Sequence, residues 1–269
     1  MDKNDPLNLP SQNMQWISLL ISSYNTPENY LKVCFHSILS QKKIGINFAI
    51  EIVIVNDGSN PYNTELLESI LKNIESSSEF IKFIKIKYIK MPTNKGLSYC
   101  LHHGVLACSY DLIFRMDSDD VMEETRITKQ LDFMNKNPSC VLLGTNLVPF
   151  IVDNDKRTYF EQSNHEQMIT WEEYKKTKKQ WIMNHPTLCF RKYAVITVGN
   201  YNEKLKEPFE DLDLELRLLK KYGFVCNLPE VLLFYRIHPN QITAQNREKS
   251  FINTELKKVM IENIIGLFC

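Results

Sequence analysis

The chain has 269 residues, of which 43% are apolar and 24% charged, enough for one large α/β domain or two small ones. Its 32 Lys+Arg balance 32 Asp+Glu, which argues against a dedicated nucleic-acid binder, since such proteins carry a basic surplus. No apolar run approaches the ~20 residues of a membrane helix, and the seven cysteines include no CxxC pair, so the expectation is buried free thiols in a reducing, cytoplasmic setting and no zinc site.

Residues 1–15 are polar, with Pro6 and Pro10, and read as a flexible arm without a secretory leader. Trp16 to Ser22 reads as a buried strand. Pro27 then suits a first helical turn with Thr26 as its cap, and the helix extends from about Glu28 to Gln41. Phe48 to Val55 is a second strand, running into Asn56-Asp57-Gly58-Ser59, and residues 62–75 form the next helix. Lys82 to Lys90 alternates Lys with Ile, Phe and Tyr, as a strand with one wet face does. Pro92 to Gly96 is a turn, Leu97 to Cys108 a helix, and Leu112 to Met116 a fourth strand. Strands alternating with helices predict a parallel sheet of right-handed βαβ units.

The fourth strand runs straight into Asp117, Asp119 and Asp120. Carboxylates at a buried strand end are costly unless something positive meets them. Asp-x-Asp spacing lets two of them approach one hard cation, for which magnesium or manganese is the natural choice. The plainer reading is an acidic turn before a helix, with Asp120 as its N-cap. No GxGxxG or GxxxxGK[ST] accompanies the strands, so nucleotide binding would rest on side chains and strand-end loops. Such loops converge beyond the carboxyl ends of a parallel sheet.

In the second half, a charged helix is expected from Asp120 to about Asn135, ended by Pro138. Val141 to Phe150 is strand-like and Asp153 to Thr158 is a polar turn. His165 to Lys179 looks helical. Its basic end, Lys175, Lys176, Lys178 and Lys179, is either a solvated face or a contact for an acceptor or an anionic membrane surface. Met183 to Leu188 is extended, with His185 at its entry. Leu212 to Tyr222 is a helix closed by Gly223, with Asp211 as its cap. Val231 to Arg236 is the last strand, ending in His238-Pro239-Asn240.

Taken in order, Ser-Tyr-Asn after the first strand, Val55-Asn-Asp-Gly-Ser59, Asn94-Lys-Gly-Leu-Ser98, Arg115-Met-Asp-Ser-Asp-Asp120, Asn184-His-Pro-Thr187, Phe209-Glu-Asp211 and Tyr235-Arg-Ile-His238 resemble family 2 of the nucleotide-sugar-dependent glycosyltransferases. The likeness runs from about Ile17 to Ile242 and is nearest to bacterial-type exopolysaccharide and lipopolysaccharide enzymes. It implies a GT-A fold: a Rossmann-like, mostly parallel sheet flanked by helices, with a smaller acceptor-side part. The implied organisation is a domain over residues 16–242, divided into a nucleotide-binding half (16–120) and an acceptor-binding half (121–242), followed by a helical extension (243–269).

The resemblance also implies roles. Asp57 corresponds to the residue that reads the uracil edge, Ser22 and Ser23 to the lip around the nucleoside, and Asn94 to a nucleotide contact. Asp119 would be the metal ligand and Asp117 would face the ribose or a bound water. His238 would complete the metal or phosphate site, and His185 would line the donor or acceptor pocket. Asp211 would be the general base of an inverting transfer from a UDP-sugar to a glycan or glycolipid hydroxyl. Many relatives carry Arg-Asn where this chain has Leu101-His102, which leaves the diphosphate to metal, Lys95 or Arg115. That departure keeps open a donor-binding protein of the same fold without efficient catalysis. A sugar nucleotidyltransferase is the other alternative, though it lacks the glycine-rich phosphate loop of that class.

Overall fold

The computed structural model describes residues 14–77, 82–205, 209–241 and 250–266. Most of the expected arm, the boundary at Ile242 and Cys269 lie outside the described residues. The first half follows the expected alternation: β1 (Gln15–Ser23), α1 (Glu28–Leu39), β2 (Phe48–Asn56), α2 (Pro61–Ser76), β3 (Ile84–Lys90), α3 (Leu97–Ala107) and β4 (Leu112–Asp117). These strands lie in the order β3-β2-β1-β4, all parallel. Ile17, Leu19 and Ile21 of β1 face the helices α1 and α2, whereas Leu20 faces α3. Every residue of β2 is buried, as a strand covered by helices on both faces must be.

The second half continues the sheet as β9-β6-β10-β5. Its parts are β5 (Val121–Met122), α4 (Arg126–Lys136), β6 (Leu142–Asp153), β7 (Lys156–Tyr159), β8 (Met168–Thr170), α5 (Trp171–Thr177), β9 (Cys189–Arg191), α6 (Lys192–Thr197), α7 (Glu210–Tyr222), β10 (Phe224–Arg236) and α8 (Ser250–Gly266). The short β9 runs antiparallel between β4 and β6 and so joins the two halves of the sheet. The longer β6 and β10 are parallel to each other. All six described cysteines are buried and free. Among the described residues, no helix is long and apolar enough to cross a membrane.

Several local expectations give way to longer-range contacts. Thr26 does not cap α1; its Oγ1 is 2.7 Å from Ser118 Oγ and 3.1 Å from Ser23 Oγ, and Pro27 takes the cap position. The chain after Asp120 is not yet helical, because Val121 and Met122 pair with Phe234 and Leu233 of β10. Asp120 is therefore no N-cap: it is fully buried, and its Oδ1 accepts the Arg236 amide at 2.8 Å. The helix expected over 165–179 splits. Met168–Thr170 pairs with β10, and α5 starts at a capping box between Thr170 and Glu173. The polar turn after Asp153 is a hairpin, with Asn154 and Asp155 both at positive φ (47° and 61°). In the basic run, Lys175 pairs with Glu172 and Lys179 with Glu166 at the surface.

The helix α7 begins two residues earlier than expected and closes on Gly223 at φ 87°. Asp211 is thus inside its first turn rather than capping it. The C-terminal α8 packs on α7: Ile261 is 2% exposed, and Lys220 Nζ donates to the Ile264 carbonyl.

Candidate functional site

The parallel register brings the ends of β1, β2 and β4 side by side: Ser22 lies opposite Val55 and Asp117, and Ser23 opposite Asn56. Asp57 follows at once, its amide donating to the Ser23 carbonyl at 2.9 Å. Its carboxylate reaches across to the entry of α3, where Oδ1 accepts the Lys95 amide at 2.7 Å and Oδ2 the Gly96 amide at 3.0 Å. Each oxygen keeps a second lone pair. Gly58 lets this happen: it holds φ 66°, and a Cβ there would lie 2.4 Å from the Thr93 carbonyl carbon. The Asn94 and Lys95 side chains stand exposed beside Asp57. Ser22 is half-buried, while Ser23 is buried and tied to Thr26.

On β4 the buried Arg115 points back at its own strand end. Its two terminal nitrogens clasp Asp117 at 2.6 and 2.8 Å, the bidentate geometry that suits a guanidinium to a carboxylate. Burial raises the Asp117 carboxyl above the usual range, and Arg115 opposes that rise. Arg115 is itself supported from below, because the buried Arg126 donates to its carbonyl at 2.7 Å.

Two residues on, Asp119 meets the far end of the chain. Its Oδ2 is 2.8 Å from His238 Nε2, and its carbonyl accepts Arg236 Nε at 2.7 Å. The Arg236 guanidinium lies between the rings of Tyr30 and Phe150, 4.2 and 4.7 Å from their centroids, which supplies cation–π attraction in a desolvated place. Asp120 keeps one buried oxygen, Oδ2, without a hydrogen-bond partner. Burial, then Asp119 and Asp117, push its carboxyl well above the usual range. An orphaned buried carboxylate oxygen among three acids is a place where positive charge is wanted.

Asp211, in the first turn of α7, is close enough to this acidic turn that its charge acts on Asp117. Its Oδ1 accepts the Leu212 amide at 2.7 Å. Burial raises its carboxyl above the usual range, while Lys257, the Leu212 amide and Arg115 pull the other way.

His185 is buried, 7% exposed, with Nε2 2.9 Å from the Tyr201 hydroxyl. Burial and the Arg115 charge hold its imidazole well below the ordinary value. Leu101 and His102 are structural: Leu101 is fully buried and His102 Nδ1 is 2.8 Å from the Tyr201 carbonyl.

The structure therefore ties Asp57 to the Asn94–Lys95 turn and Asp119 to His238, sets Asp117 beside Ser22 at the strand end, and brings Asp211 near enough for its charge to act on Asp117. Sequence reasoning missed Arg236 and Tyr30. Arg236 closes the last strand two residues after Phe234 and two before His238, and that two-residue step is the signal that points to it. Tyr30 is a helix residue with no such signal.

Among the described residues no three His, Cys, Asp or Glu side chains form a ready-made metal cage. A magnesium-like ion does not require one, since it is commonly held by one or two carboxylates plus substrate phosphates. Asp119, with His238 beside it, fits that partial donor set.

A cavity of about 160 Å³ lies in the second half, lined by Asn164, His165, Glu166, Ile169, Lys179, Trp181 and Ile182. A larger one, about 490 Å³, opens at the opposite, amino-terminal end of the strands beside Glu51. Glu51 is already engaged there by Ser18, Ser109 and Lys87, so we assign the chemistry to the strand-end site.

Residues 18–198 match the family model described as glycosyl transferase family 2. The chain is 33% identical over 253 residues to an uncharacterized glycosyltransferase of Haemophilus influenzae, covering 93% of this chain and 86% of that one. It is 30% identical over 243 residues to the amylovoran biosynthesis glycosyltransferase AmsE of Erwinia amylovora, covering 89% and 83%. It is also 28% identical over 220 residues to the UDP-Gal:alpha-D-GlcNAc-diphosphoundecaprenol beta-1,3-galactosyltransferase of Escherichia coli, covering 74% and 77%. Among solved structures, S. aureus TarS 1-349 in complex with UDP-GlcNAc superposes with a TM-score of 0.67 at 16% identity, covering 93% of this chain and 67% of that one. That likeness concerns the fold.

Proposed function

This chain belongs to glycosyltransferase family 2, whose members draw on nucleotide sugars, and from that premise we propose that it transfers a sugar from a UDP-sugar to a hydroxyl of a glycan or lipid-linked glycan, inverting the anomeric carbon. The observation that supports this reading is the Arg115–Asp117 pair at the end of β4, with Asp211, in the first turn of α7, near enough for its charge to act on Asp117. A carboxylate so placed takes the proton of the attacking hydroxyl as the new carbon–oxygen bond forms and the bond to the diphosphate breaks. Burial favours the neutral acid and so sharpens its basicity, while its cationic neighbours keep it ionised.

The other side chains divide the donor between them. Asp57, its carboxylate fixed by two backbone amides, keeps lone pairs to accept from the uracil N3–H. Lys95 stands exposed at the same edge to meet phosphate. Arg115 neutralises Asp117, so that a diphosphate approaching this wall meets less negative charge. Asp119 and His238 would hold manganese or magnesium, an ion that when bound supplies positive charge to the departing UDP. The E. coli relative's name supports a UDP-sugar donor and a lipid-linked acceptor, and AmsE supports a role in polysaccharide assembly.

A thermal-shift series with UDP, GDP and dTDP sugars, with and without manganese, tests the donor. UDP compounds are expected to raise the melting temperature, by mass action equivalent to about 2.7 kcal/mol at a hundred times Kd. A response to another nucleotide and none to UDP would overturn the donor assignment.

A further inference from the structure

The pocket beside Trp181 is built from two stretches without helix or strand that the fold sews to β6. The first, residues 160–167, hangs from that strand. The Leu147 amide donates to Ser163 Oγ at 2.9 Å, and the His165 amide to Asn146 Oδ1 at 3.1 Å. The second, residues 178–184, is fixed by the buried Asn184. Its Nδ2 donates to Ser163 Oγ and to the Thr145 carbonyl, each at 2.8 Å, and its Oδ1 lies 3.2 Å from His165 Nε2.

The sheet register places this pocket relative to the strand-end site. Leu143 of β6 and Phe114 of β4 both pair with Cys189, so three residues on, Asn146 stands level with Asp117. Two strand spacings separate them, roughly 10 Å. Their side chains also share a face of the sheet. Asp117 lies on the side of Ile113 and Asn146 on the side of Leu142, and both of those pack in the core that holds Leu212 and Leu216 of α7. Ile169 and Ile182, which line the pocket, belong to that core too. The pocket is thus in the same layer of the molecule as the helix that carries Asp211.

Trp181 is 59% exposed. A lone exposed apolar side chain needs no explanation, but this one stands in a pocket among polar groups. Its ring meets that of His165 at 90°, with centroids 4.7 Å apart, and Asn146 and Asn184 hold His165 in turn, so the indole has a fixed backing. Glu166 and Lys179 line the same pocket and pair at 2.6 Å with both side chains about half exposed. Such a pair is weakly held and opens readily to a ligand's hydroxyls. Glu166 cancels Lys179, and burial keeps the His165 imidazole below its ordinary value, so the wall carries no net charge at neutral pH. At about 160 Å³, the space is below the ~300 Å³ at which pockets for drug-sized ligands begin. It admits one ring and not a nucleoside diphosphate. An aromatic plate, a donor, an acceptor and no net charge suit a neutral pyranose, with its C–H face on the indole and its hydroxyls on Lys179 and Glu166.

We propose that this pocket is a second sugar site, which takes one neutral ring of the glycan acceptor by stacking on Trp181 while another residue of the same glycan presents its hydroxyl at Asp211. This rests on the transferase reading above and adds that the acceptor is held at two points, so that it is at least a disaccharide.

The first test needs no turnover. The full chain has three tryptophans; labelled as 5-fluorotryptophan, they give three fluorine-19 resonances, that of Trp181 being assigned by its loss in Trp181→Phe. Titration with the methyl glycosides of glucose, galactose and N-acetylglucosamine, and with disaccharides of these sugars, is expected to move the Trp181 resonance and leave the other two in place. Glu166→Gln should weaken that response several-fold. No response to any of these sugars overturns the proposal, as does a Trp181 response to UDP in their place. In transfer assays, Trp181→Ala should raise KM for disaccharide and longer acceptors several-fold, leave KM for the UDP-sugar unchanged, and abolish any preference for these acceptors over single sugars; Trp181→Phe should restore most of the loss. An acceptor KM equal to wild type in Trp181→Ala also overturns it. If sugars move the Trp181 resonance while wild type transfers none, the pocket stands as a sugar site and the transferase reading falls. If wild type transfers sugar with Trp181 silent, the transferase reading stands and the pocket falls.

Discussion

His238 Nε2 lies 2.8 Å from Asp119 Oδ2, joining the loop after β4 to the loop after β10. The contact orients the one carboxylate of the acidic turn that has neither an arginine clasp nor full burial. If Asp119 and His238 hold the metal of a metal–UDP complex, His238→Ala should weaken manganese-dependent UDP binding about 10- to 100-fold, the usual cost of losing a group that ligates or orients a ligand. Metal-free UDP binding should change little. Calorimetric titration of UDP with and without manganese measures both, and equal affinities for variant and wild type in manganese would remove His238 from the site.

Asp211→Asn keeps the volume of the side chain and its hydrogen bond from the Leu212 amide but cannot accept a proton at neutral pH. Transfer should fall about 10²- to 10⁴-fold, the range ascribed to general-base catalysis. UDP affinity should stay within a factor of two or so, since Asp57 and Asp119 are untouched. Near-normal turnover by this variant would send the search for the base elsewhere.

Asp57 serves the fold and, in the proposed function, the donor as well. Asp57→Ala removes the acceptor for two part-buried amides, those of Lys95 and Gly96, and should cost about 1–3 kcal/mol in urea unfolding. Gly58→Ala should also destabilise, through its left-handed φ and the 2.4 Å approach of a Cβ to Thr93. Both variants should bind UDP more weakly, because the α3 entry loop loses its anchor. Wild-type stability in Gly58→Ala would mean that the loop has room to move aside.

His185 gives the fold an acid-sensitive point. The folded protein keeps its imidazole neutral, held well below its ordinary value of 6.5 by burial and Arg115. The unfolded chain takes up that proton near pH 6.5, so the unfolded state binds more protons and stability drops as pH falls below about 6.5. One site contributes at most about 1.4 kcal/mol per pH unit. His185→Gln should flatten the stability–pH curve just below pH 6.5. A slope unchanged in that variant would place the acid sensitivity in other groups.

Much of the first half of the chain was legible because its elements are set by local periodicity. A strand buried on both faces, such as Phe48 to Val55, reads as a continuous apolar run whatever surrounds it. The strand-end residues Ser22, Asp57 and Asp117 follow directly from that alternation. The second half was less legible because distant partners set its local structure. Val121 and Met122 are extended by pairing with β10, and Met168 to Thr170 by pairing with the start of the same strand. Helical periodicity over 165–179 carried no sign of that partner. Asp120 misled for the same reason: its apparent cap position is local, whereas the amide it accepts belongs to Arg236.

The reach of Arg236 also fixes an order of assembly. A chain growing from its amino terminus completes β1, β2 and β4, and with them the Asp57 and Asp117 wall, long before β10 exists. Until Arg236 slots between Tyr30 and Phe150 and takes hold of Asp119, the acidic turn has no clasp from the carboxyl-terminal side. A nascent or shortened chain that stops before β10 would thus own the corner proposed to read uracil but not the corner proposed to hold metal. Hybrids made by exchanging the second halves of relatives should therefore transplant the β6–β10 region together with the β4–β5 turn that it locks.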